Sequence, residues 1–308
     1  MISIFGSRVG IEVDSNYIRV TEVLKKYNKI KLNKFVSVDI PEGNIKDGLI
    51  TDLSKTAHLI KKLLQSESIK QKKIAISIGS HHIFTKKVQM KGMTETELSQ
   101  VFLYEAAHHF PFDLKDITVD YHIIEKNRSF LKVLFTAIRN DIIENRMELL
   151  RRANLTPYLI EPCALSIINL YNHTKNRERK DVIVNIGDHR TTIIKPSTTD
   201  PYISSISYGN THLSAKDRDK KRYFFSNWYR ELTQKLLYIN NNYISSKSER
   251  ILVCGEITSH VFDAIKLKAN DVRFFDPFRN IVNSDKWIKY AHIIPVSLGL
   301  TLRKAGDK

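Results

Sequence analysis

The chain has 308 residues and carries 49 lysines and arginines against 33 acids, a formal net charge of +16. That length can bury a large core and build two lobes, whereas no apolar run is long enough to span a bilayer, the stretch 293–302 being short and interrupted by Pro295 and Gly299. The first residues lack the basic start and apolar length of a secretory signal, and Cys163 and Cys254 lie in apolar surroundings as buried free thiols, so the expected compartment is the cytoplasm. The basic surface attracts polyanions or an acidic partner, but no nucleic-acid-binding motif accompanies it. Its densest block is Lys216, Arg218, Lys220, Lys221 and Arg222, followed by Tyr223, Phe224, Phe225 and Trp228.

In chain order, the opening segment reads as strands to about Val38, beginning with an apolar run to Val13, a polar turn and a second run from Tyr17. A helix is expected from Asp52 as N-cap, with Leu53, Ala57, Ile60 and Leu64 on one face. Ile74, Ile76 and Ile78 alternate as in a half-buried strand. Thr94 and Glu97 form a capping box, opening a helix that turns Leu98, Val101, Phe102 and Ala106 inward and stops before Pro111. Ile117, Val119, Tyr121 and Ile123 alternate, and 130–138 pairs with them across the turn 126–128. Asp141 and Glu144 begin another helix, ending near Asn154. Val182–Ile186, a turn at Gly187-Asp188 and Thr191–Ile194 repeat the first hairpin, and no further internal repeat is evident. A helix over about 225–240 places Trp228, Leu232, Leu236 and Ile239 on one stripe.

Two such hairpins, one per lobe, resemble the pair that grips ATP phosphates in the actin-like fold. The segment Pro41-Glu42-Gly43-Asn44-Ile45-Lys46-Asp47-Gly48-Leu49-Ile50 resembles the "LP-x-G-x-I-x-D-G-x-I" stretch of the PilM family, the actin-like proteins of type IV pilus assembly. Tyr104-Glu105-Ala106-Ala107, Phe110-Pro111-Phe112, Asp120-Tyr121, Thr136-Ala137-Ile138-Arg139, Ile251-Leu252-Val253-Cys254-Gly255 and Ser297-Leu298-Gly299-Leu300-Thr301-Leu302-Arg303 follow in that family's order. The resemblance implies an α/β fold of the actin-like, ribonuclease H-like class: lobe one over 1–180, containing an inserted α+β subdomain at 39–149; a lobe two over 181–289, short between Gly209 and its long helix; and a segment 290–308 returning to lobe one.

The resemblance also places a nucleotide site, and the residues there depart from its pattern. Glu12 stands where the family has Asp, and Asp14 where it has a glycine whose missing Cβ lets amides approach phosphate. Ser15 and Asn16 complete this turn. Asn185 replaces the aspartate of "D-I-G", Gly187 is kept, and Gly255-Glu256 stands for a double glycine. Two added acids and one lost carboxylate imply a degenerate site, binding ATP and Mg²⁺ weakly or not at all. The pairs His81-His82 and His108-His109 read as solvated or hydrogen-bonded histidines, since sequence neighbours point apart. Glu231 and Lys235 read as a surface helix pair.

The implied function is a non-enzymatic cytoplasmic scaffold at the inner membrane. It would dock the short N-terminal cytoplasmic tail of a PilN-like inner-membrane protein in a groove of the insertion, with Phe84, Phe110 and Phe112 as receiving side chains. An anionic lipid surface is a further expected partner; nucleic acid is not. An ATP-binding ATPase of the pilus and the actin-like cytoplasmic component of a type II secretion system are the alternatives.

Overall fold

The computed structural model describes residues 6–26, 29–41, 43–174, 181–197, 200–243 and 250–303. Strands β1 (Gly6–Val13), β2 (Tyr17–Lys26) and β3 (Lys29–Asp39) form an antiparallel meander, joined at one end by the short hairpin β4 (Ile45–Lys46) and β5 (Leu49–Ile50). The turn of that hairpin is Asp47-Gly48, both at positive φ, the backbone that a two-residue hairpin requires. Helix α1 (Leu53–Ser66) is capped by Asp52, whose carboxylate accepts from the Lys55 amide at 2.8 Å. Strand β6 (Lys73–Ile78) returns parallel to β1.

Three strands and one helix then build a separate unit: β7 (Ile83–Lys91), α2 (Glu95–Ala107), β8 (Ile117–Lys126) and β9 (Phe130–Arg139), the sheet ordered β7-β9-β8. The unit has its own core, in which Leu98, Leu131, Val133 and Phe135 are wholly buried. Helix α3 (Asn140–Arg152) leaves it, followed by β10 (Thr156–Pro162) and α4 (Cys163–Thr174).

The second half repeats the plan. Strands β11 (Asp181–Ile186), β12 (Thr191–Lys195) and β13 (Tyr202–Ile206) form a meander, then come α5 (Asn210–Leu213), α6 (Arg218–Tyr243), β14 (Arg250–Gly255), α7 (Ser259–Lys266) and β15 (Asp271–Phe274). Strand β16 (Ile281–Val282) and α8 (Pro295–Leu300) complete the described chain.

The first sheet is ordered β10-β6-β1-β2-β3-β16 and the second β13-β12-β11-β14-β15. Each contains an antiparallel meander extended by two parallel strands on the side of its first strand, and the first sheet adds β16 at its other edge; the repeat is thus topological, beyond the hairpins that the sequence reveals. Helices α1 and α3 pack on the outer face of the first sheet against Ile11, Val20 and Ile76. Helices α6 and α7 cover the outer face of the second, where Trp228, Leu232, Leu236 and Ile239 form the expected buried stripe. Between the sheets lie α4 and α8, whose apolar residues share one core with Leu32 of the first sheet and Ile183 and Leu252 of the second. There the backbones nearly touch: a Cβ on Gly10 would lie 2.2 Å from the Ser297 carbonyl oxygen, and one on Gly299 2.0 Å from that of Ser166.

Five sequence expectations change. Strand β6 is buried on both faces, because the small side chains of Ala75 and Ser77 admit the inner helices as closely as the isoleucines admit the outer ones. With β6, α1 and α3 belonging to the first sheet, the inserted unit is confined to 83–139 rather than 39–149. Strand β16 pairs in parallel with β3, so the chain rejoins the first sheet at Ile281, before residue 289. Helix α6 begins at Arg218, which makes the basic block helical from that residue on, and Val101 on α2 points outward at 37% exposure. Residues 175–180, at the expected lobe boundary, and 304–308, within the expected C-terminal segment, lie outside the described residues.

Candidate functional site

The two hairpin turns face each other between the sheets. The Asp14 carboxylate lies against Gly187, 3.4 Å from where a Cβ would stand there, and the Asn16 side chain faces the Asp188 carboxylate. Glu12, Asp14 and Ser15 from one hairpin and Asn185 and Gly187 from the other therefore do meet, around a cavity of about 270 Å³. Glu256 lies off it. The Gly255-Glu256 loop is held by backbone hydrogen bonds: Gly255 N–H donates to His292 O at 2.6 Å and Glu256 N–H to Ile186 O at 2.7 Å. Gly255 has φ +95° and no space for a Cβ, which would lie 2.1 Å from Ile186 O.

The amides of the first turn are also engaged. Asp14 N–H closes the hairpin on Tyr17 O at 3.0 Å, and Ser15 N–H donates to the Asp14 carboxylate at 2.8 Å. An aspartate at this position thus supplies its own anion to the amide that a phosphate would need. Asp14 further accepts from Tyr17 Oη at 2.9 Å, as Glu12 does at 3.2 Å.

Arg19, on β2 next to this turn, is buried beside Glu12. Its guanidinium stacks over the Tyr17 ring at 3.6 Å, stands 3.9 Å from Glu12, ion-pairs with Glu256 and donates to Ile293 O at 3.2 Å. Burial raises the Glu12 pKa to about 7; Arg19 and the Tyr17 hydroxyl oppose that rise, and Asp14 and Glu256 reinforce it. Cys163 and Cys254 are free thiols, both raised by burial, and Cys254 Sγ donates to Asn185 Oδ1 at 3.4 Å.

The rest of the cavity wall was missed in the sequence. A 3-10 turn at Ser80–His82 follows β6 and brings the rings of His81 and His82 to 3.8 Å of each other, both on the wall. The expectation that adjacent histidines point apart fails because it assumes a regular strand or helix. Partial desolvation lowers the pKa of His82 to about 4 and that of the more exposed His81 in the same direction, with the neighbouring arginines adding to the effect. Arg146 on α3 and Arg190 on the second hairpin complete the wall. The other histidine pair has no such place: His108 Nδ1 lies 2.9 Å from Tyr104 O on its own helix. Lys235 donates to Ser204 Oγ at 2.7 Å rather than to Glu231. Among the described residues no cluster suits a metal ion and no helix is long and apolar enough to cross a membrane.

In the inserted unit, Phe84 and Phe112 are half-buried and their rings lie edge to face at 4.7 Å. Phe110 is 8% exposed and belongs to the core, so it presents no receiving surface as it stands. Helix α2 instead exposes Val101, Leu103 and Tyr104, the last by 69%. The mixed polarity of that helix was the available signal. The unit is tied to the second half through Lys87 on β7, which ion-pairs with Asp200 and donates to Tyr243 Oη at 2.7 Å.

The fold matches solved structures over almost its full length. The chain is similar to one in the "PilM-PilN type IV pilus biogenesis complex", with TM-score 0.82 and 16% identity over 96% of this chain and 98% of that one. It is similar to the ethanolamine utilization protein EutJ from Carboxydothermus hydrogenoformans, with TM-score 0.55 and 12% identity over 96% and 89%. A Bacteroides thetaiotaomicron protein with an actin-like ATPase fold and unknown function matches with TM-score 0.51 and 13% identity over 96% and 95%. These likenesses establish the actin-like fold. No curated protein matches in sequence. A family profile described as type IV pilus assembly protein PilM matches residues 10–196, more than half of the 308, and the chain belongs to the PilM family of type IV pilus assembly proteins.

Proposed function

We propose that this protein is a scaffold at the cytoplasmic face of the inner membrane, docking the short N-terminal tail of a PilN-like bitopic protein, with little or no nucleotide chemistry of its own. The observation that carries the reading is the whole-chain likeness to a chain from a PilM–PilN complex, in a molecule whose cleft amides are already bonded within the protein. The tail would add its side chains to the half-buried Phe84–Phe112 pair at one end of the inserted sheet, where an extended peptide gains order from a rigid rim. Ordering the tail costs conformational entropy, so a few apolar anchors must supply the affinity. Lys216–Arg222, exposed along the start of α6, suits an anionic leaflet.

The test is fluorescence anisotropy of a labelled PilN-type tail peptide titrated with the full chain. Saturable binding, lost in Phe84→Asp or Phe112→Asp variants whose circular dichroism is native, supports the reading. Unchanged binding in both folded variants overturns the groove assignment, and no binding to the parent chain overturns the partner.

A further inference from the structure

We propose that the outward face of α2 docks a basic amphipathic helix of a partner protein. This goes beyond the scaffold reading and does not depend on tail docking, which that reading assigns to the Phe84–Phe112 pair.

The inference begins with a local reversal of charge. The chain is strongly basic as a whole, yet residues 93–125 hold seven acids and a single lysine, Lys115. Lys115 pairs with Asp113, and the Glu97 carboxylate closes the capping box with Thr94. Glu95, Glu105 and Asp116 have no cation partner among the described residues. Helix α2 itself contains no Lys or Arg, so the partial negative charge of its terminal carbonyls stands unopposed at the same end as Glu105.

The second observation is apolar exposure on the same helix. Leu98, Phe102 and Ala106 turn towards the sheet of the inserted unit. The helical period then aims Gln100, Leu103, Tyr104 and Ala107 at solvent, with Val101 on the flank one turn from Glu105. Leu103 is 48% exposed and Tyr104 more so, and Leu114, just past the helix, is exposed as well. Single exposed apolar residues need no explanation, whereas several on one face of one helix mark a contact surface. The small Ala107 beside Leu103 and Tyr104 leaves a notch in the ridge, where a side chain of a second helix can seat.

Charge decides the occupant. Anionic lipid, nucleic acid and acidic segments are all repelled by a face whose free charges are carboxylates. A helix with lysines or arginines flanking an apolar stripe matches on both counts. Its apolar residues would cover Val101, Leu103 and Tyr104, while its cations meet Glu95, Glu105 and the carbonyl end of α2. The rest of the chain, with its net charge of +16, repels such a helix and so confines it to this face.

The experiment uses a labelled synthetic helix of Leu and Lys, with leucines at i, i+3 and i+4 spacing, and a control peptide with Glu in place of Lys. Each is titrated with the full chain by fluorescence anisotropy, and sedimentation velocity of the chain alone runs beside it. The Lys peptide should saturate and weaken several-fold between about 0.05 M and about 0.3 M salt. Its affinity should fall about tenfold or more in the Leu103→Ser, Tyr104→Ser variant and in the Glu95→Lys, Glu105→Lys variant, both with native circular dichroism. Phe84→Asp should leave it unchanged. No saturation, equal affinity in parent and variants, or equal binding of the Glu peptide overturns the proposal. Displacement by a PilN-type tail peptide also overturns it and merges this face with the tail groove. Self-association of the chain that is lost in the same variants overturns the partner chemistry and assigns the face to a second copy.

Discussion

Arg19 on the first sheet and Glu256 on the loop leaving the second are joined in an ion pair that crosses the cleft. Arg19 is nearly buried, whereas the Glu256 side chain is 30% exposed, so the two ends of the pair are unequal. Arg19→Met leaves Glu12 and Glu256 without their cation and should cost about 3 kcal/mol or more. Glu256→Gln should cost about 1 kcal/mol, because water screens that end. Urea unfolding of both singles and the double variant checks this; additive costs would show that the pair contributes no coupling.

Mg-ATP should bind weakly or not at all, since Asp14 occupies the Ser15 amide and Asn185 lacks a charge for a hydrated metal. The double variant Asp14→Gly, Asn185→Asp should strengthen binding by about tenfold or more. Calorimetric titration decides it. A parent dissociation constant of about 1 µM would mean that the self-bonded turn opens for nucleotide.

Stability should depend on pH through opposing groups. Glu12 has a folded pKa of about 7, raised from 4.5, so the native state holds a proton the unfolded chain has released; stability falls as pH rises from about 4.5 to 7. His82, lowered from 6.5 to about 4, acts the other way, with His81 shifted in the same direction, and stability falls as pH drops from about 6.5 towards 4. Glu12→Gln should therefore gain on the parent between pH 5 and pH 8, by roughly 2–3 kcal/mol at most. Denaturant midpoints at those two values test it, and a constant difference would place the proton elsewhere.

Reversing charge at Lys220, Lys221 and Arg222 should lower co-sedimentation with anionic vesicles at about 0.1 M salt. These residues are exposed on the first turns of α6 beside Tyr223, which is 64% exposed. Trp228 takes no part, being buried with its indole N–H on Thr191 Oγ1 at 3.0 Å. A bound fraction unchanged by the reversal would leave the block as a solvated helix end.

Features encoded by neighbours in sequence were legible before the structure. The Asp52 cap, the Thr94–Glu97 box, the stripe from Trp228 to Ile239 and both hairpin turns each depend on residues a few positions apart. Features set by distant packing were not. Nothing local says that Ala75 and Ser77 face a second layer of helices, that Ile281 pairs with Ile30, or that Phe110 is core while Val101 is not. The site divides the same way. Asp14 and Asn185 stood out as departures from a pattern, but nothing local marked Arg146, whose burial with neutral hydrogen-bond partners is set by the fold. Arg19 was passed over for the same reason, its partners lying at residues 256 and 293.

The wedging of α8 between the sheets has a consequence for synthesis. Strands β1 to β3 leave the ribosome before α4 and α8, which cover their inner face, and before β16, which completes their edge. Thr21 waits for the Ser297 hydroxyl, and Arg8 for the carbonyls of Thr301, Leu302 and Arg303. During translation the first lobe is thus an apolar sheet whose inner face stays incompletely covered until α8 arrives. The inserted unit, whose core is drawn wholly from one contiguous stretch, has no such delay and can be native while the chain is still being made.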